Sequence, residues 1–393
     1  MKILIVEPEL RGHFVSLYVR NIVKSLNKQH QIYFLTSKRI NKTKLLNLIV
    51  QENKNLKLLY CNELSYGKKK NNFSLFFNQI KNFIYIKNKI IFLNKKFKFD
   101  EIFFSNLDHF DKSLCFFKNP FDSLKFSGIL VNPRVHQFKN KKIYRFKYFL
   151  YKFFINKLFS INYLKKALVN DVLFLKYLDK KKINEKVIYF NEPVIREKKH
   201  KIIKNIFVKN SLNILVYGAI RTSKSLEELV ELTGILKLKI DINIIVAGKQ
   251  DNDIKKILHK VNLVKKNVYS NFKIINRFIE PKEESYLFSK SDAVWCVYKN
   301  TPLGSSGVFH LSMNYKIPII TNDLGLIGWY NKKYNVGPIL RFDEKKYYIN
   351  SANKIIDLYK NVKKYNFYKS NQSKLLKYAN KQKKFDKIIN DLF

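Results

Sequence analysis

Apolar runs of strand length alternate with longer amphipathic stretches along this chain, and that alternation limits the possible folds more than any other feature. The first run, KILIV at 2–6, is followed by an amphipathic stretch from Phe14 to Leu26. Six more strand-like runs follow before residue 191: QIYFLT at 31–36, LKLLY at 56–60, EIFFS at 101–105, GILV at 128–131, ALVN at 167–170 and VIYF at 187–190. Strands separated by helices predict a parallel sheet with helices on both faces.

The pattern then breaks and starts again. The break lies at about 191–210, where NEPVIREKKHKIIKN is charged, contains Pro193 and has little periodicity, which predicts an interdomain linker. The second series comprises the strands LNILVYG at 212–218, INIIVAG at 242–248, FKIIN at 272–276, AVWCV at 293–297 and IPIIT at 317–321, with the helix SLEELVELTGIL at 225–236. We expect the chain after about Asp343 to be helical to its end.

These two series predict an α/β protein with two Rossmann-like, doubly wound domains. The expected boundaries are an N-terminal domain at 1–195, a linker at 196–211, a C-terminal domain at 212–375, and a helix at 376–393 that crosses back to the first domain. A length of 393 residues agrees with two domains. Ligands of such sheets bind beyond the carboxyl ends of the strands, so two facing sheets would place a cleft between the domains.

Cysteine usage and the absence of targeting signals point to a cytoplasmic protein. Cys61, Cys115 and Cys296 are far apart and odd in number, which argues against a disulfide framework and a CxxC metal site. The first residues lack the apolar core of a signal peptide. No uncharged apolar run reaches the ~18 residues that a transmembrane helix needs.

The net charge of +46 is extreme, and its distribution is more informative than its sum. Lysine outnumbers arginine 67 to 9, and Asn, Ile, Phe and Tyr are also abundant, so much of the bias agrees with A/T-rich codons. No Asp or Glu occurs from Leu64 to Phe99, which carries nine lysines, or from Ser123 to Asn170, which carries eleven basic residues. Whatever its origin, this charge attracts anionic lipids and nucleic acids.

The second of these blocks contains KKIYRFKYFLYKFFINKLF at 141–159, where basic and large apolar residues are intermixed. Such a helix can bury aromatic side chains in a membrane interface and set lysines against anionic head groups. Alternatively, the helix packs its aromatic residues into its own domain and lays lysine stems over the edge. The sequence has no zinc spacing, recognition helix or RNP-type strand, so we expect no specific nucleic-acid partner.

A first candidate for anion binding lies in VYGAIRTSKSLEEL at 216–229. Gly218 ends a strand, and Arg221 and Lys224 stand at the entrance of the following helix. Ser223 and Ser225 are candidate N-caps for that helix. Two cations three residues apart beside a strand's carboxyl end suit a diphosphate. The alternative is a solvated basic turn in a lysine-rich protein.

A second candidate is GSSGVF at 304–309, which precedes a helix predicted from about Val308 to Tyr315. Five of the eleven glycines fall between Gly304 and Gly337. Glycines let the backbone approach a ligand, and the hydroxyls of Ser305 and Ser306 and the first N–H groups of the helix, from Gly307 to Phe309, would form an anion site. The alternative is a turn needed only for packing. Two such sites at strand ends of one domain favour phosphate binding.

These residues also carry a resemblance. The stretches VYGAIRTSKSLEEL, INIIVAG, FIEPKEESYLFSKSDAVWCVY and GSSGVFHLSMNYKIPIITNDLG, in this order and spacing, resemble the nucleotide-sugar half of a retaining GT-B glycosyltransferase, near glycosyltransferase family 4. MKILIVEPELRGHFVSLYVRNIVKSL is similar to that family's first strand, glycine loop and helix. The resemblance implies a metal-independent hexosyltransferase that transfers a sugar from a nucleotide-sugar with retained configuration, acting in bacterial surface polysaccharide or lipooligosaccharide synthesis.

By position, the resemblance implies a role for each candidate. Arg221 and Lys224 would hold the donor diphosphate and stabilise the charge that grows on the leaving phosphate. The residues that would contact the donor are Gly12, His13, Gly218, Asn276, Arg277, Phe278, Gly304, Ser305, Ser306, Gly307 and Val308. Among these, 276–278 would lie near the base, and the loop at 12–13 would lie over donor and acceptor. No cofactor is expected, and the acidic DND at 251–253 is expected to open a helix rather than bind metal.

The chain departs from the family's pattern at three positions. Many relatives carry two glutamates eight residues apart, where this chain has Leu303 and Leu311. Ala219 replaces the usual arginine after the strand glycine. The alternative of a catalytically silent nucleotide-sugar-binding or scaffold protein therefore remains open.

The first domain offers its own candidates at strand ends. Asp108 and His109 follow the strand at 101–105, and His109 could orient a sugar hydroxyl or the acceptor; a capping turn is the equal alternative. Arg134 and His136 follow the strand at 128–131 and are weaker candidates. The expected partners are a nucleotide-sugar donor, a glycan or lipid-linked acceptor, and an anionic membrane surface on the inner face of the plasma membrane.

Overall fold

A computed structural model describes residues 1–9, 14–26, 30–42, 45–51, 53, 55–64, 72–139, 144–178, 184–192, 201–264, 272–299, 304, 306–341, 346–378 and 381–393. The chain divides into two compact units. Unit 1 comprises Met1–Pro193 and Lys381–Phe393, and unit 2 comprises Val194–Asn380. The last helix therefore belongs to the same compact unit as the first strand.

Each unit is built on one parallel sheet. The strands of unit 1 are β1 Lys2–Glu7, β2 Gln31–Ser37, β3 Lys57–Cys61, β4 Glu101–Phe104, β5 Lys125–Leu130, β6 Leu164–Val169 and β7 Val187–Tyr189. Those of unit 2 are β8 Leu212–Tyr217, β9 Ile242–Ala247, β10 Phe272–Ile275, β11 Ala293–Cys296, β12 Ile319–Asn322 and β13 Ile339–Leu340. The two sheets of seven and six strands confirm the α/β fold class.

Helices connect these strands along the chain. In chain order they are α1 Arg20–Ser25, α2 Leu45–Val50, α3 Asn72–Phe97, α4 Asp111–Leu114, α5 Val135–Phe138, α6 Arg145–Ser160, α7 Val172–Leu178, α8 Leu226–Leu236, α9 Asn252–Val264, α10 Pro281–Lys290, α11 Gly307–Tyr315, α12 Gly325–Tyr334, α13 Tyr347–Lys360, α14 Val362–Tyr378 and α15 Lys381–Leu392. The described residues also form a π-helical turn at Phe14–Val19 and 3-10 turns at Lys38–Lys42, Leu107–His109, Asn184–Lys186 and Thr222–Lys224. No helix within these described ranges is long and apolar enough to cross a bilayer.

The two sheets share one topology. The strand order is β3-β2-β1-β4-β5-β6-β7 in unit 1 and β10-β9-β8-β11-β12-β13 in unit 2. In both, the first strand of the unit lies beside the fourth, as in β1 with β4 and β8 with β11. The chain reverses its direction of strand addition there, which is where doubly wound sheets bind ligands, just beyond the carboxyl ends of the strands.

Alternating apolar side chains place a hydrophobic layer on each face of the first sheet. Along β1, Leu4 and Val6 join one core cluster, whereas Ile3 and Ile5 join the other. Helix α15 contributes to the second cluster through Phe385, whose ring centroid lies 5.7 Å from that of Phe190. Because both faces are covered, the strands read as continuous apolar runs in the sequence.

Two strands of unit 2 differ from the sequence prediction. The strand predicted at 317–321 begins at Ile319, because Pro318 has no N–H and takes part only through its carbonyl, which accepts from the Val294 N–H at 3.0 Å. The two-residue strand β13 was not predicted, because a run this short carries no periodic signal. The DND segment opens helix α9 as predicted.

Candidate functional site

The carboxyl end of β8 brings two loops of unit 2 together at Gly218. Gly218 has φ +94°, a conformation that L side chains rarely adopt. A side chain at the neighbouring Gly248 would collide with the Gly218 carbonyl, and one at Gly218 would lie 3.5 Å from Cγ2 of Val308. The strand-end turn after β8 therefore lies against the start of α11, as expected if both contact one ligand.

Lys224 lies buried beneath this junction. Its Nζ donates a hydrogen bond of 2.8 Å to the Tyr217 carbonyl and lies 5.3 Å from the ring centroid of Tyr298. The pKa of Lys224 is lowered to about 8, chiefly by burial; Cys296 opposes the lowering and the charge of Arg221 adds to it. The ammonium has no carboxylate among these contacts to neutralise it, so an incoming anion would be favoured here.

The backbone around Lys224 is fixed by its neighbours. Indole Nε1 of Trp295 donates to the Lys224 carbonyl at 2.9 Å, and Ser225 has the left-handed φ of 48°. The sequence predicted capping by Ser225; it occupies the N-cap position of α8, but its side chain makes no capping bond there. Its φ replaces the extended conformation that a capping serine normally adopts.

Arg221 contrasts with Lys224 because its side chain stays in solvent. Its side chain is 67% exposed, and Nε lies 3.9 Å from a carboxylate oxygen of Asp251, which is 60% exposed. An ion pair this long and this exposed contributes little to stability. The guanidinium is therefore available to a ligand without the loss of a structural contact.

The start of α11 is the second half of the site. Ser306 is the N-cap: its Oγ accepts from the Phe309 N–H at 3.4 Å and lies 3.0 Å from the Tyr298 hydroxyl. The Phe309 N–H, one of the three expected to bind an anion, is therefore capped by Ser306. Gly307 and Val308 are the first two residues of the helix, where N–H groups have no acceptor within it. Tyr298 thus connects Lys224 to the helix start.

Some of the other predicted donor contacts lie outside the residues that the structure describes. Gly304 is half-buried before the helix, whereas Ser305 and Leu303 lie outside the described residues. Leu311 is buried within α11. Gly12 and His13 of the first loop also lie outside the described ranges, so their roles stay predictions.

Two of the three residues predicted near the base have partners in neighbouring elements, the loop after β9 and helix α10. Asn276 Oδ1 accepts from the Gln250 N–H at 3.0 Å. Both terminal nitrogens of Arg277 donate to Glu283, at 2.7 and 3.0 Å, and these bonds lower the pKa of Glu283 to about 2. Phe278 is 70% exposed. Asn276 and Arg277 therefore have structural partners, while Phe278 presents an open ring for stacking.

Unit 1 carries carboxylates at the corresponding edge of its sheet. Ser105 Oγ donates to Glu7 Oε2 at 2.5 Å, at the end of β1 and β4, and Nδ1 of His109 lies 2.8 Å from Glu9 Oε1. Burial raises the pKa of Glu7, and the nearby His109 opposes that rise. Glu7 and Glu9 were missed in the sequence, although Glu7 ends the first strand and Glu9 lies two residues beyond it.

Asp108 has a structural partner across the sheet edge. Its carboxylate accepts from the Val131 N–H at 2.7 Å and from the Asn132 N–H at 3.2 Å, in the loop after β5. Burial raises its pKa and these backbone bonds lower it. These bonds join the turn at Leu107–His109 to the loop after β5, whereas the N-cap of that turn is Asn106, whose Oδ1 accepts from the Asp108 N–H at 3.0 Å. Asp111, at the start of α4, has its pKa raised by burial to about 7.

His136 and Arg134 separate after β5. His136 Nε2 lies 3.3 Å from Asp171 Oδ2, and both side chains are buried. Asp171 Oδ1 also accepts from the N–H groups of Leu173 and Phe174 at the start of α7. Arg134 is exposed. The predicted pair is therefore divided between a buried contact and the surface.

Comparisons with solved structures show which fold this is. Cyanobacterial proteins are similar over their whole length: Anabaena HepE in complex with UDP and glucose has 12% identity and a TM-score of 0.67, covering 100% of this chain and 98% of that one. Sucrose-phosphate synthase from Thermosynechococcus elongatus has 12% identity and a TM-score of 0.69, covering 100% and 99%. WaaG, a glycosyltransferase involved in lipopolysaccharide biosynthesis, has 13% identity and a TM-score of 0.64, covering 98% and 99%.

These likenesses give the chain the fold of the GT-B glycosyltransferases, with two Rossmann-like units. No protein-family model matches the sequence. No curated protein matches it either. At identities this low the likeness shows the fold, and the chemistry must be argued from the residues.

Proposed function

We propose that this protein is a glycosyltransferase that moves a hexose from a nucleotide-sugar to a glycan or lipid-linked acceptor. The transfer retains the sugar's configuration and needs no metal, as in glycosyltransferase family 4. The reaction takes place in the cytoplasm, on the inner face of a bacterial plasma membrane, and serves surface polysaccharide or lipooligosaccharide synthesis. The complexes of HepE with UDP and glucose, and the pathway of WaaG, support this substrate class.

The observation that carries the proposal is the set of contacts between β8 and α11. Gly218 and Val308 adjoin, Lys224 lies under the Tyr298 ring, and Tyr298 reaches the N-cap Ser306. A diphosphate placed beyond Gly218 would meet the first N–H groups of α11 and the positive end of that helix. The exposed guanidinium of Arg221 would close over it.

The same groups would act on the reaction itself. As the bond from the sugar to the diphosphate breaks, negative charge grows on the leaving phosphate. Lys224, which is buried and fixed, and Arg221, once it closes over the diphosphate, would stabilise this charge. Because these cations and the helix start carry the charge, the proposal assigns no metal to the site.

Unit 1 supplies groups suited to the acceptor. Carboxylates and imidazoles accept hydrogen bonds from sugar hydroxyls, and the pair of Glu9 and His109 lies beyond the end of β4, at the edge where doubly wound sheets bind ligands. His109 would orient an acceptor hydroxyl. Asp108, which caps the loop after β5, would fix the turn that holds His109.

A second function is favoured by Leu311. It is 7% exposed within α11, at a position where many relatives carry glutamate. A protein with the donor site but without that carboxylate could bind a nucleotide-sugar and not turn it over. The two functions separate in one assay, because an active transferase slowly hydrolyses its donor without acceptor, whereas a binding protein shows affinity alone.

The test is a thermal-shift screen of the full chain against UDP-, GDP-, ADP- and CMP-sugars at low and moderate salt, followed by donor hydrolysis. A ligand of the folded state raises Tm, so one nucleotide class should stand out. Arg221→Ala should lower turnover at least about tenfold through loss of charge-assisted bonds. Lys239→Ala, at an exposed basic residue of unit 2 between α8 and β9, is the control and should leave turnover unchanged.

Two results would overturn the proposal. Equal shifts with every polyanion would mean that general basic charge, rather than a site, attracts nucleotides. A selective shift without hydrolysis in wild type, with or without candidate acceptors, would leave the binding protein as the function.

A further inference from the structure

Helix α6 of unit 1 is apolar on two opposite faces. One face packs into the core of its unit through Phe154, Ile155, Leu158 and Phe159. A helix needs only one such face to fold against a sheet, and the opposite face of a surface helix is normally polar. The second face therefore requires a separate explanation.

That second face is exposed and follows helical spacing. Phe146, Phe149, Leu150 and Phe153 occupy positions i, i+3, i+4 and i+7, and they are 79%, 52%, 41% and 51% exposed. Single exposed apolar residues are common, but a continuous stripe marks an interaction surface. At about 100° per residue, these four side chains point in nearly one direction.

Aromatic contacts extend the stripe beyond α6. Phe153 packs on Phe154, whose ring centroid lies 6.3 Å from that of Phe116, and Phe116 lies 6.1 Å from Phe76 on α3. Phe116 is 57% exposed, and Phe77, beside Phe76, is 55% exposed. We call Phe77, Phe116, Phe146, Phe149, Leu150 and Phe153 together the aromatic surface.

Basic residues flank this surface, and its helices carry no acidic residue. Helix α6 contains Arg145, Lys147, Lys152 and Lys157, and α3 contains five lysines, with no Asp or Glu in either. Lys147 Nζ lies 5.0 Å from the Tyr144 ring centroid and Lys152 Nζ lies 6.0 Å from that of Tyr148. These stems lie along aromatic rings and leave the ammonium groups at the rim, as lysines do at a membrane interface.

We propose that the aromatic surface docks unit 1 on a bilayer containing anionic phospholipids. The aromatic side chains would enter the interface between head groups and acyl chains, and the four basic residues of α6 would meet lipid phosphates. A nucleic-acid duplex has anionic phosphates but offers no apolar layer for six such side chains. A second copy of a chain with net charge +46 would be repelled. This inference rests on unit 1 alone and does not require the transferase activity.

The first experiment is sedimentation of the full chain with vesicles. Vesicles of phosphatidylcholine with about one-third phosphatidylglycerol should carry the protein down, and neutral phosphatidylcholine vesicles should not. Raising salt to 0.5 M should release at least about nine-tenths of it, because ionic screening shortens to a few ångströms. Equal binding to neutral vesicles, or none to anionic ones, would overturn the proposal.

Two sets of variants separate the apolar and the charged contributions. Phe146→Ser with Phe149→Ser and Phe153→Ser should weaken binding to anionic vesicles at least about tenfold. The matched control is Val362→Ser with Phe367→Ser on the basic helix α14, where both residues are exposed. The control should bind as wild type, and circular dichroism should be unchanged in both.

The charge set replaces Arg145, Lys147, Lys152 and Lys157 with Gln. Each basic residue near an anionic surface contributes about fivefold, so replacing all four should weaken binding by about 600-fold. The control replaces the exposed Lys239, Lys290, Lys363 and Lys374 of unit 2 with Gln and removes the same net charge. Equal losses in the two sets would mean that total charge, rather than this surface, attracts the vesicle.

Phe149→Trp reports insertion directly. Its fluorescence should shift to the blue with anionic vesicles and be quenched by lipids brominated on the acyl chain. Strong binding to duplex DNA with no blue shift on vesicles would assign the surface to nucleic acid. A concentration-dependent dimer that the three Phe→Ser changes abolish would assign it to a second copy, and either result overturns membrane docking.

Discussion

The same topological position holds opposite chemistry in the two units of this chain. Beside β1 and β4, unit 1 gathers Glu7 and Glu9 with their Ser105 and His109 partners. Beside β8 and β11, unit 2 gathers glycines, cations and the start of a helix. Because the strand order is the same in both units, the fold alone does not set this difference. The residues that follow each strand do.

The comparison also shows that net charge is a poor guide to a site. The chain has 76 basic and 30 acidic residues, yet several of its acids lie at the carboxyl edge of the unit 1 sheet. There burial raises the pKa of Glu7, Asp108 and Asp111, so these acids are held against a desolvation cost. In unit 2 burial instead lowers the pKa of Lys224. The unit 1 edge therefore holds buried acids and the unit 2 edge a buried lysine, and in both burial disfavours the charged form.

The largest expected effect is on the free energy of unfolding, at Asp108. Its replacement tests whether this acidic residue supports the fold or binds a ligand. Asp108→Ala removes the acceptor of two backbone N–H groups and leaves both without it in a partly buried loop. We expect a loss of about 3–4 kcal/mol in the free energy of unfolding, measured by urea denaturation of the full chain. Asp108→Asn keeps one acceptor oxygen and should lose about half as much.

Asp241→Ala serves as the control for Asp108, because Asp241 is exposed and accepts from the Leu212 N–H only through its backbone. Its unfolding free energy should stay within about 0.5 kcal/mol of wild type. An Asp108→Ala protein of full stability but altered acceptor binding would contradict the capping role.

The next largest effect is at Lys224, where a substitution should raise the free energy of unfolding rather than lower it. A pKa lowered from 10.5 to about 8 means that holding the ion inside costs on the order of 3 kcal/mol at neutral pH. Lys224→Met should therefore raise the unfolding free energy by about 1–2 kcal/mol, since part of the relief is lost with the Tyr217 hydrogen bond. Nucleotide affinity should fall at least about tenfold in the same variant.

The pH dependence checks the cause of that gain. The folded pKa lies below the unfolded one, so the cost is complete below pH 8 and disappears as pH rises towards 10.5. The gain in unfolding free energy of Lys224→Met should likewise be full below pH 8 and decrease as pH rises towards 10.5. Loss of both stability and nucleotide affinity would instead make Lys224 a purely structural residue.

The sequence predicted the fold well because buried parallel strands are written as apolar runs. The predicted strand at 2–6 became Lys2–Glu7, and the one at 212–218 became Leu212–Tyr217. The phosphate-suited residues were found because glycine and basic residues at strand ends are local signals. Whether they bind a donor stays a prediction.

What the sequence could not supply were partners that are distant along the chain. Trp295 fixes the backbone of Lys224 from 71 positions away, and Ser105 reaches Glu7 from 98 positions away. The Asp171 partner of His136 lies 35 positions further on. Such pairings depend on strand order, which no local pattern encodes. The sequence therefore indicated Asp108 and His109, whereas Glu7 and Glu9 join them at the acidic edge only in three dimensions.

The smallest expected effect is at Asp111, whose carboxyl has a pKa raised to about 7 by burial, with Asp108 adding to the rise and Lys112 opposing it. A buried carboxyl with a raised pKa does not destabilise the fold while it is protonated. The loss of folding stability is therefore absent below pH 4 and grows until about pH 7. Asp111→Asn keeps the Oδ1 acceptor of the Lys112 N–H. Its free energy of unfolding should therefore equal that of wild type at pH 4 and exceed it by about 1 kcal/mol at pH 8. This is less than the pKa shift alone would give, because the side chain reaches some solvent. An equal gain in unfolding free energy at both pH values would show that the benefit comes from packing rather than from the removed charge. Burial would then not destabilise the ionised carboxylate of Asp111.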